Sequence, residues 1–426
     1  MRVPRLPPQP SNPLRLVPPS PPVIIAPKQE SPRFLGSHAF WIAVIAVGLI
    51  GFGLVNQYSA GISLSSKNRT AAFDRQLMYV PFALLAGWLA FRVNLERLRE
   101  YRWWILGAAM LAMVAARIPG IGVTVNGSWR WIDFGFFRLQ ASDLGKLALV
   151  LVLADMLARL QRHTIDLRKP VFRLSTREPY LFTPSGWLDC REGFVKPSLL
   201  IGCICVGIAL GPDLGTIVLC AAVGGTMMYI SGVRWKYIIP TFVICSGGFT
   251  LLILNWGNRF RRFTSFMDPW GHRDNEAYQL FEGMIAFGVG GLTGKGAANG
   301  LQVRAYLPEA HTDFVLANIG EEHGLIGTVL VAVAYLAIFW LAFRAMQFSH
   351  DLYRLNICLG ATLFLVLQAL VNMGVVTGLL PTKGISLPFL SYGGTNLVIM
   401  SCMVGLILNC IREAGQSPFT PKEARA

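Results

Sequence analysis

Long apolar runs separated by short polar segments dominate the pattern of the chain. A helix needs about 20 apolar residues to cross the hydrocarbon core of a bilayer. The sequence GPDLG at 211–215 divides one run that is too long for a single span, and it predicts a tight hairpin. The pattern therefore predicts an all-α polytopic membrane protein. Its ten predicted transmembrane helices cover 39–58, 75–93, 102–118, 142–160, 197–211, 214–232, 237–256, 322–344, 353–376 and 393–412.

The composition agrees with a location in lipid. The 426 residues are 53% hydrophobic and 14% charged, whereas soluble proteins carry roughly 25% charged residues. Lys and Arg outnumber Asp and Glu by 38 to 23. In a membrane protein this excess marks cytoplasmic segments. Nucleic-acid binding is disfavoured, because no soluble basic module with interleaved aromatic residues is present. Most cysteines lie in apolar runs, which favours core packing over a metal site.

The basic residues also predict an orientation. Residues 1–36 are Pro-rich and basic, which predicts a disordered cytoplasmic tail. Residues 37–413 then form the transmembrane domain, with a cytoplasmic loop at 161–196 and a second cytoplasmic tail at 414–426. The loop at 118–141 faces outward, as does the larger loop at 257–321 between helices seven and eight. Both outward loops carry arginines, which weakens the charge asymmetry but would suit an anionic ligand.

The larger outward loop contains an apolar stretch, FEGMIAFGVGG at 281–291. It is too short to cross the bilayer, so we expect it to dip into the membrane or lie at its surface. The glycines in and after this stretch permit irregular backbone and close approach of another chain.

The stretch YLPEAHTDFVLANIGEEHG at 306–324 gathers scarce ionisable residues just before helix eight. Thr312 or Asp313 could cap a helix that begins at Phe314. Alternatively, Asp313 is a general base at the outer surface. His311 is either its proton partner or an exposed loop histidine, and Glu309 is a further candidate contact to substrate.

A second group of candidate residues precedes and enters helix four. Arg130 and Arg138 suit bidentate contacts to a diphosphate, and Lys146 supplies a point charge. Asp143 lies three residues before Lys146, so a helix ion pair is the alternative explanation for both. Trp131 either stacks on a sugar or anchors the membrane interface.

Two further features lie on the predicted outer side. Asp213 in the hairpin at 211–215 is a candidate site residue or an ordinary turn residue. The sequence LLPTKGISLPFLSYGGTN at 379–396 predicts a rigid, re-entrant segment that carries Lys383. All these groups converge on one face, where acids, Arg and Lys suit a lipid-anchored substrate with a diphosphate and a hydroxylated head.

Four long motifs resemble the SEDS proteins, the FtsW/RodA/SpoVE group, in the same order over residues 39–412. The division type resembles this chain more than the elongation type, because of RRFTSFMDPW, PEAHTDF and LPTKG. One departure is QASD, where the family usually has QPSE, so Asp143 replaces a Glu. The four motifs are NGSWRWIDFGFFRLQASDLGKL, GPDLGT, YLPEAHTDFVLANIGEEHGLIG and LLPTKGISLPFLSYGGTN.

The resemblance implies an inverting peptidoglycan glycosyltransferase that polymerises lipid II at the outer face of the bacterial cytoplasmic membrane, at the division septum. It implies that Asp313 is catalytic and that Arg138, Lys146 and Asp213 belong to the substrate site. It also implies a class B penicillin-binding protein and other divisome membrane proteins as partners. No cofactor is firmly implied, and a divalent cation, Mg²⁺ or Mn²⁺, stays open. The alternatives are a lipid II flippase, an elongation-type polymerase, and a scaffold that recruits the transpeptidase.

Overall fold

The structure is a computed structural model. It describes residues 32–414 except for 64–70, 126–127, 136, 165–188, 255–260, 262–263, 275–276, 301–310, 348 and 350. The N-terminal tail up to residue 31, most of the loop at 161–196, the C-terminal tail beyond 414 and Glu309 therefore lie outside the described residues.

Helices lie at all ten predicted spans. In chain order they are α1 (Pro32–Ser63), α2 (Ala71–Arg92), α3 (Leu95–Ala115), α4 (Ala141–Thr164), α5 (Lys196–Ala209), α6 (Leu214–Ile230), α7 (Trp235–Leu254), α8 (Tyr278–Gly290), α9 (Val315–Met346), α10 (Leu352–Val376) and α11 (Gly394–Ala414). A π-helical turn, Asp189–Val195, leads into α5. The additional helix, α8, covers most of the apolar stretch that is too short to span.

The predicted helical architecture is confirmed, and one small sheet interrupts it. Three short antiparallel strands form a sheet in the order β1-β2-β3, and they are β1 (Gly122–Val125), β2 (Ser128–Asp133) and β3 (Arg138–Gln140). The sheet lies within the segment 118–141, which the sequence predicted only as an outward loop. Trp131 pairs with Val123 on one side and with Gln140 on the other. We call the end of the helix bundle that carries this sheet the sheet end.

Within the described residues, five helices are individually long and apolar enough to cross a membrane: Leu35–Ala60, Cys190–Ala209, Val315–Met346, Leu352–Val376 and Gly394–Ala414. Phe73–Arg92 and Leu95–Ala115 qualify together as a pair bent by 120°. The chain is therefore a multi-pass membrane protein, and ten crossings stays a prediction.

The bundle has an inner and an outer layer of helices. In the most apolar stretches of α10 and α11, 78% and 83% of the residues are buried, compared with 33% in α1. Large apolar side chains of the outer helices are exposed, such as Trp104 on α3 and Phe242 on α7. Such a surface would be a liability in water, and it is the expected surface in lipid.

Helix α9 is broken at Gly324, where φ is +67°. The turn at 291–296 after α8 supplies partners for the backbone groups that the break releases. Four hydrogen bonds join them: Lys295 N–H to Glu321 C=O (2.9 Å), Gly296 N–H to Glu322 C=O (3.0 Å), Leu325 N–H to Gly291 C=O (2.9 Å) and Ile326 N–H to Leu292 C=O (3.2 Å). In an unbroken helix the amides at 325 and 326 would instead donate to the carbonyls at 321 and 322.

Small residues make this contact between α8 and α9 close. A Cβ atom on Gly290 would lie 1.9 Å from the Gly320 carbonyl oxygen, and one on Gly294 would lie 2.1 Å from the Glu322 carbonyl oxygen. These glycines thus permit a close approach between two stretches of this chain. The approach of another chain stays a prediction.

The segment at 377–393, between α10 and α11, enters the interior of the bundle. Leu387, Phe389 and Leu390 are at most 2% exposed. The Tyr335 hydroxyl of α9 donates a short hydrogen bond to the Pro388 carbonyl. On α1, a Cβ atom at Gly53 would lie 2.6 Å from the Phe389 carbonyl oxygen. The prediction of an irregular re-entrant segment is therefore confirmed.

Candidate active site

Of the described helices that begin at the sheet end, four start directly beside predicted site residues. Helix α4 follows β3 and Arg138, Asp213 caps α6, α9 follows Asp313, and Thr395 at the start of α11 bonds to Arg138. A helix N-terminus carries the equivalent of about half a positive charge and presents unpaired N–H groups. The convergence of four such ends makes this region favourable for an anionic group.

Asp313 lies in the turn that precedes α9, and it is half-buried. The helix begins at Val315, and its N-cap residue is Phe314, whose side chain makes no capping hydrogen bond. The helix therefore starts one residue later than the predicted Phe314, and a capping contact from Thr312 or Asp313 stays a prediction. The loop before this helix accordingly ends at 314, seven residues earlier than the predicted boundary at 321.

The carboxylate of Asp313 lies against the re-entrant segment. A Cβ atom placed on Gly384 would lie only 2.8 Å from Asp313 Oδ2. The absence of a side chain at Gly384 therefore lets the carboxylate approach the backbone of this segment. Lys383 is the adjacent residue and is also half-buried, so one predicted cation is next in sequence to the glycine that the carboxylate approaches.

The backbone of His311 anchors the same turn from another direction. Its carbonyl oxygen accepts hydrogen bonds from the side-chain amide of Gln57 on α1 and from the backbone N–H of Tyr392, each at 2.8 Å. The turn that carries Asp313 is thereby attached to α1 and to the re-entrant segment. Whether the imidazole of His311 takes part in chemistry stays a prediction.

Lys146 lies inside the bundle rather than on its surface. Its ammonium group contacts Asp143 Oδ1 at 2.8 Å and donates to Gln368 Oε1 at 3.0 Å. The two charged side chains are 4% and 1% exposed. The helix ion pair that the spacing allowed is thus present, and direct contact of either residue with substrate stays a prediction.

Gln368 connects this ion pair to the re-entrant segment. Its side-chain nitrogen donates to the Ser386 carbonyl at 2.8 Å and to Asn396 Oδ1 at 3.1 Å. The buried cation on α4 is therefore linked through one amide on α10 to the segment that holds Lys383, and to α11.

Asp213 is the N-cap of α6, and it also pairs with charge. Its carboxylate accepts from the Thr216 N–H at 3.2 Å and from the Thr216 hydroxyl at 2.9 Å. Arg130 Nη1 lies 3.7 Å from Asp213 Oδ1, and Arg130 Nε donates to the Gly211 carbonyl at 3.0 Å. Arg130 therefore joins β2 to the hairpin at 211–215, and the turn-residue interpretation of Asp213 accounts for much of its environment.

The side chain of Arg138 is more accessible than those of Arg130 and Lys146. Its side chain is 51% exposed, against 27% for Arg130 and 4% for Lys146. Its backbone is fixed, because its N–H donates to the Tyr79 hydroxyl (3.2 Å) and its carbonyl accepts from the Thr395 hydroxyl (2.7 Å).

The guanidinium of Arg138 pairs with Asp133 at 3.0 Å. The Gly135 N–H and the Arg138 guanidinium both lower the pKa of the Asp133 carboxyl. Asp133 is therefore ionised near neutral pH, and the pair holds the Arg138 side chain at the sheet without removing it from the surface. Trp131, in the neighbouring strand β2, is half-buried, and its role with a sugar stays a prediction.

The re-entrant segment lies between the two groups of candidate residues. Ile385 contacts the hairpin at 211–215, since a Cβ on Gly215 would lie 2.8 Å from Ile385 Cγ1. Its carbonyl accepts from the Asn372 side chain, which also donates to the Asp313 carbonyl. Asn372 and Gln368 escaped the sequence analysis because they lie inside an apolar run, yet polar side chains within such runs are themselves a signal of function.

No group of three or more His, Cys, Asp or Glu side chains that could hold a metal ion occurs among the residues the structure describes. The divalent cation considered from the sequence stays a hypothesis.

Comparison with known proteins gives consistent matches over most of the chain. Residues 38–416 match the model of the FtsW/RodA/SpoVE family, described as cell cycle proteins. The "Probable peptidoglycan glycosyltransferase FtsW" of Coxiella burnetii is 35% identical over 392 residues, which cover 90% of this chain and 99% of the relative. The protein of the same name from Hahella chejuensis is 36% identical, over 89% of this chain and 91% of the relative.

Two solved structures share the fold. One is described as "Structural coordination of polymerization and crosslinking by a peptidoglycan synthase complex", with a TM-score of 0.68, 22% identity and coverage of 88% of this chain and 98% of that one. The other is the rod shape determining protein RodA of Thermus thermophilus, with a TM-score of 0.61, 23% identity and coverage of 88% and 97%.

Proposed function

Because the chain belongs to the FtsW/RodA/SpoVE family of cell cycle proteins, we propose that it is a peptidoglycan glycosyltransferase of the division type that polymerises lipid II into glycan strands. Relatives at 32–36% identity that carry this activity in their names support the reaction class. The observation that carries the mechanism is the carboxylate of Asp313, held against Gly384 of the re-entrant segment at the end of the bundle where four helices begin.

In this mechanism Asp313 is the general base. It takes the proton from the 4-hydroxyl of the acceptor GlcNAc, and that oxygen attacks the anomeric carbon of the donor MurNAc. Attack occurs on the face opposite the diphosphate, undecaprenyl diphosphate leaves, and the α linkage becomes β. General-base assistance of this kind is worth about 10²–10⁴-fold in rate. A single carboxylate suffices because a diphosphate leaves without a strong acid, whereas a glycosidase uses two carboxylates.

The cations act on the leaving group. Lys383 is beside Gly384, and Arg138 is accessible at the sheet. In this mechanism both contact an anionic group that lies over the re-entrant segment. Their charge, with the N-termini of the four helices, would stabilise the diphosphate as negative charge develops on it. Lys146 and Asp143 support the site from inside the bundle. Their buried ion pair holds the re-entrant segment through Gln368.

The same proposal covers location and partners. The chain would lie in the bacterial cytoplasmic membrane at the division septum, with both termini in the cytoplasm and the sheet end outside. Its transpeptidase partner would be a class B penicillin-binding protein. The similarity in fold to a component of a complex that polymerises and crosslinks peptidoglycan supports a partner of this class.

The function is tested with the purified chain in lipid vesicles that contain labelled lipid II, with and without the transpeptidase. We expect glycan polymer that a muramidase cleaves to disaccharides, which establishes β linkages and therefore inversion. Translocation of lipid II across the vesicle membrane without polymer would contradict the proposal and favour the flippase. A chelator added to parallel reactions shows whether a divalent cation is required.

A further inference from the structure

Asn372 occupies an unusual place beside the proposed base. It lies on α10 and is 1% exposed. Its side-chain nitrogen donates one hydrogen bond to the Asp313 carbonyl and another to the Ile385 carbonyl, both at 2.7 Å. Both N–H groups of a single amide are therefore used to join two separate stretches of chain.

No helix or strand joins the two stretches, although the Tyr392 N–H also donates to the His311 carbonyl at the other end of the turn. Asp313 lies in the turn at 311–314, and Ile385 lies in the re-entrant segment, outside any helix or strand. The residue before Ile385 is Gly384, against which the Asp313 carboxylate rests. A change in the distance between the two carbonyls would therefore move the carboxylate relative to Lys383 and to any substrate above the segment.

We propose that Asn372 is a positioning residue that sets the location of the Asp313 carboxylate through its two hydrogen bonds. This inference rests on the proposed role of Asp313 as the general base. Asn372 is buried, and it acts by holding the turn at 311–314 on the re-entrant segment. A misplacement of reacting groups by about 1 Å can cost about 10²-fold in rate, so the loss should appear in kcat rather than in KM.

The chain supplies a matched control at the opposite end of the bundle. Asn409 on α11 is fully buried, and its side-chain nitrogen also donates to two backbone carbonyls, those of Ala90 (2.9 Å) and Val93 (2.7 Å). Replacing either asparagine by alanine removes an amide that donates to two backbone carbonyls. At position 409 the change also removes an acceptor for Arg412 Nη2 (3.1 Å), so the control loses one hydrogen bond more than Asn372→Ala does. Only the change at Asn372 affects the turn that carries Asp313.

The experiment compares Asn372→Ala, Asn409→Ala and Asp313→Asn in the lipid II polymerisation assay, with rates expressed per folded protein. We expect kcat of Asn372→Ala to fall about 10²-fold while KM stays within about twofold, and Asn409→Ala to keep wild-type kcat. If Asn372→Ala does not fold, Asn372→Ser and Asn409→Ser replace the pair. The serine hydroxyl keeps one donor, so an intermediate loss of kcat at position 372 is expected.

Three outcomes overturn the inference, and they are distinguishable. If Asp313→Asn is inactive while Asn372→Ala and Asn409→Ala turn over equally, the positioning role alone is wrong. If Asp313→Asn polymerises at the wild-type rate, the role of Asp313 is wrong and the positioning role falls with it. An equal loss in kcat and in folded fraction for both asparagine variants would show a structural role only.

Discussion

Gly384 offers a way to displace the proposed base without removing it. A methyl group added at this position would lie 2.8 Å from Asp313 Oδ2, whereas ordinary contacts begin at 3.4 Å. The carboxylate of the Gly384→Ala protein must therefore retreat by about 0.6 Å, the difference between these two distances. If a 1 Å misplacement costs about 10²-fold, a shift of this size costs about tenfold in kcat, or about 1.4 kcal/mol in the activation free energy.

The same change should leave the folded state almost as stable as before. Its close contact is with the end of a side chain rather than with backbone. Replacing a glycine by alanine also lowers the entropy of the unfolded chain, by about 0.4–1 kcal/mol. We therefore expect a free energy of unfolding within about 1 kcal/mol of wild type, together with the loss of kcat. The assay is polymerisation of labelled lipid II at saturating concentration, with a thermal melt of the same preparation.

Gly393 provides the control in the same segment. A methyl group there would meet only Asn396 Cβ, at an ordinary distance of 3.7 Å. Gly393→Ala should therefore polymerise lipid II at the wild-type rate. Wild-type turnover by Gly384→Ala would refute the reasoning, because it would mean that the position of the carboxylate does not limit the reaction. Equal losses for both glycine variants would show that the whole segment, rather than its contact with Asp313, is sensitive.

Three further predictions concern the supports around the site. Gly294→Ala should lower the free energy of unfolding by at least about 2 kcal/mol, because φ is +83° and the methyl group would lie 2.1 Å from the Glu322 carbonyl oxygen. Gly288→Ala on α8 is the control, and it should not lower the free energy of unfolding, because a methyl group there would have open space around it. Lys146→Met should lower the free energy of unfolding by about 3–5 kcal/mol, since it leaves the Asp143 carboxylate buried without its cation. Adding Asp143→Leu to this variant should restore part of the lost free energy, as measured by chemical denaturation. Asp133→Asn should change the polymerisation rate by the same factor at pH 6, 7 and 8.

The prediction for Asp133→Asn follows from the direction in which the pKa of Asp133 is shifted. The pKa of Asp133 in the folded protein lies below its ordinary value of 3.8. Any stabilisation from its contacts with Gly135 and Arg138 is therefore complete above that value and is lost only as the pH falls through the folded-state pKa. A pH-dependent effect of Asp133→Asn between pH 6 and 8 would contradict this assignment. Unchanged stability of Gly294→Ala or Lys146→Met would contradict the packing described for each.

The helices and the re-entrant segment could be predicted because length and hydrophobicity determine them locally. An apolar run of the right length becomes a helix, and Pro with Gly in LPTKGISLPF prevents one. The sheet at 122–140 was missed because its strands are of three to six residues and their hydrophobic pattern is mixed. Such short strands are stabilised by their pairing, which a local pattern does not reveal.

The contacts within the site depended on packing that spacing cannot define. The interval between Asp143 and Lys146 allowed either an ion pair or an anion site, and the amide of Gln368, 222 residues away, completes the buried arrangement. The proximity of Asp313 to Gly384 likewise joins residues from different loops. Motif resemblance indicated Asp313, but only the fold brings it to the re-entrant segment and to Asn372.

The most direct test of the central claim is the rate of lipid II polymerisation by Asp313→Asn. Asp268→Asn, at an exposed carboxylate of the same predicted outer loop, is the control. With both proteins folded, we expect Asp313→Asn to lose about 10²–10⁴-fold in kcat and Asp268→Asn to match wild type. Polymerisation by Asp313→Asn at the wild-type rate would contradict the assignment of Asp313 as the general base.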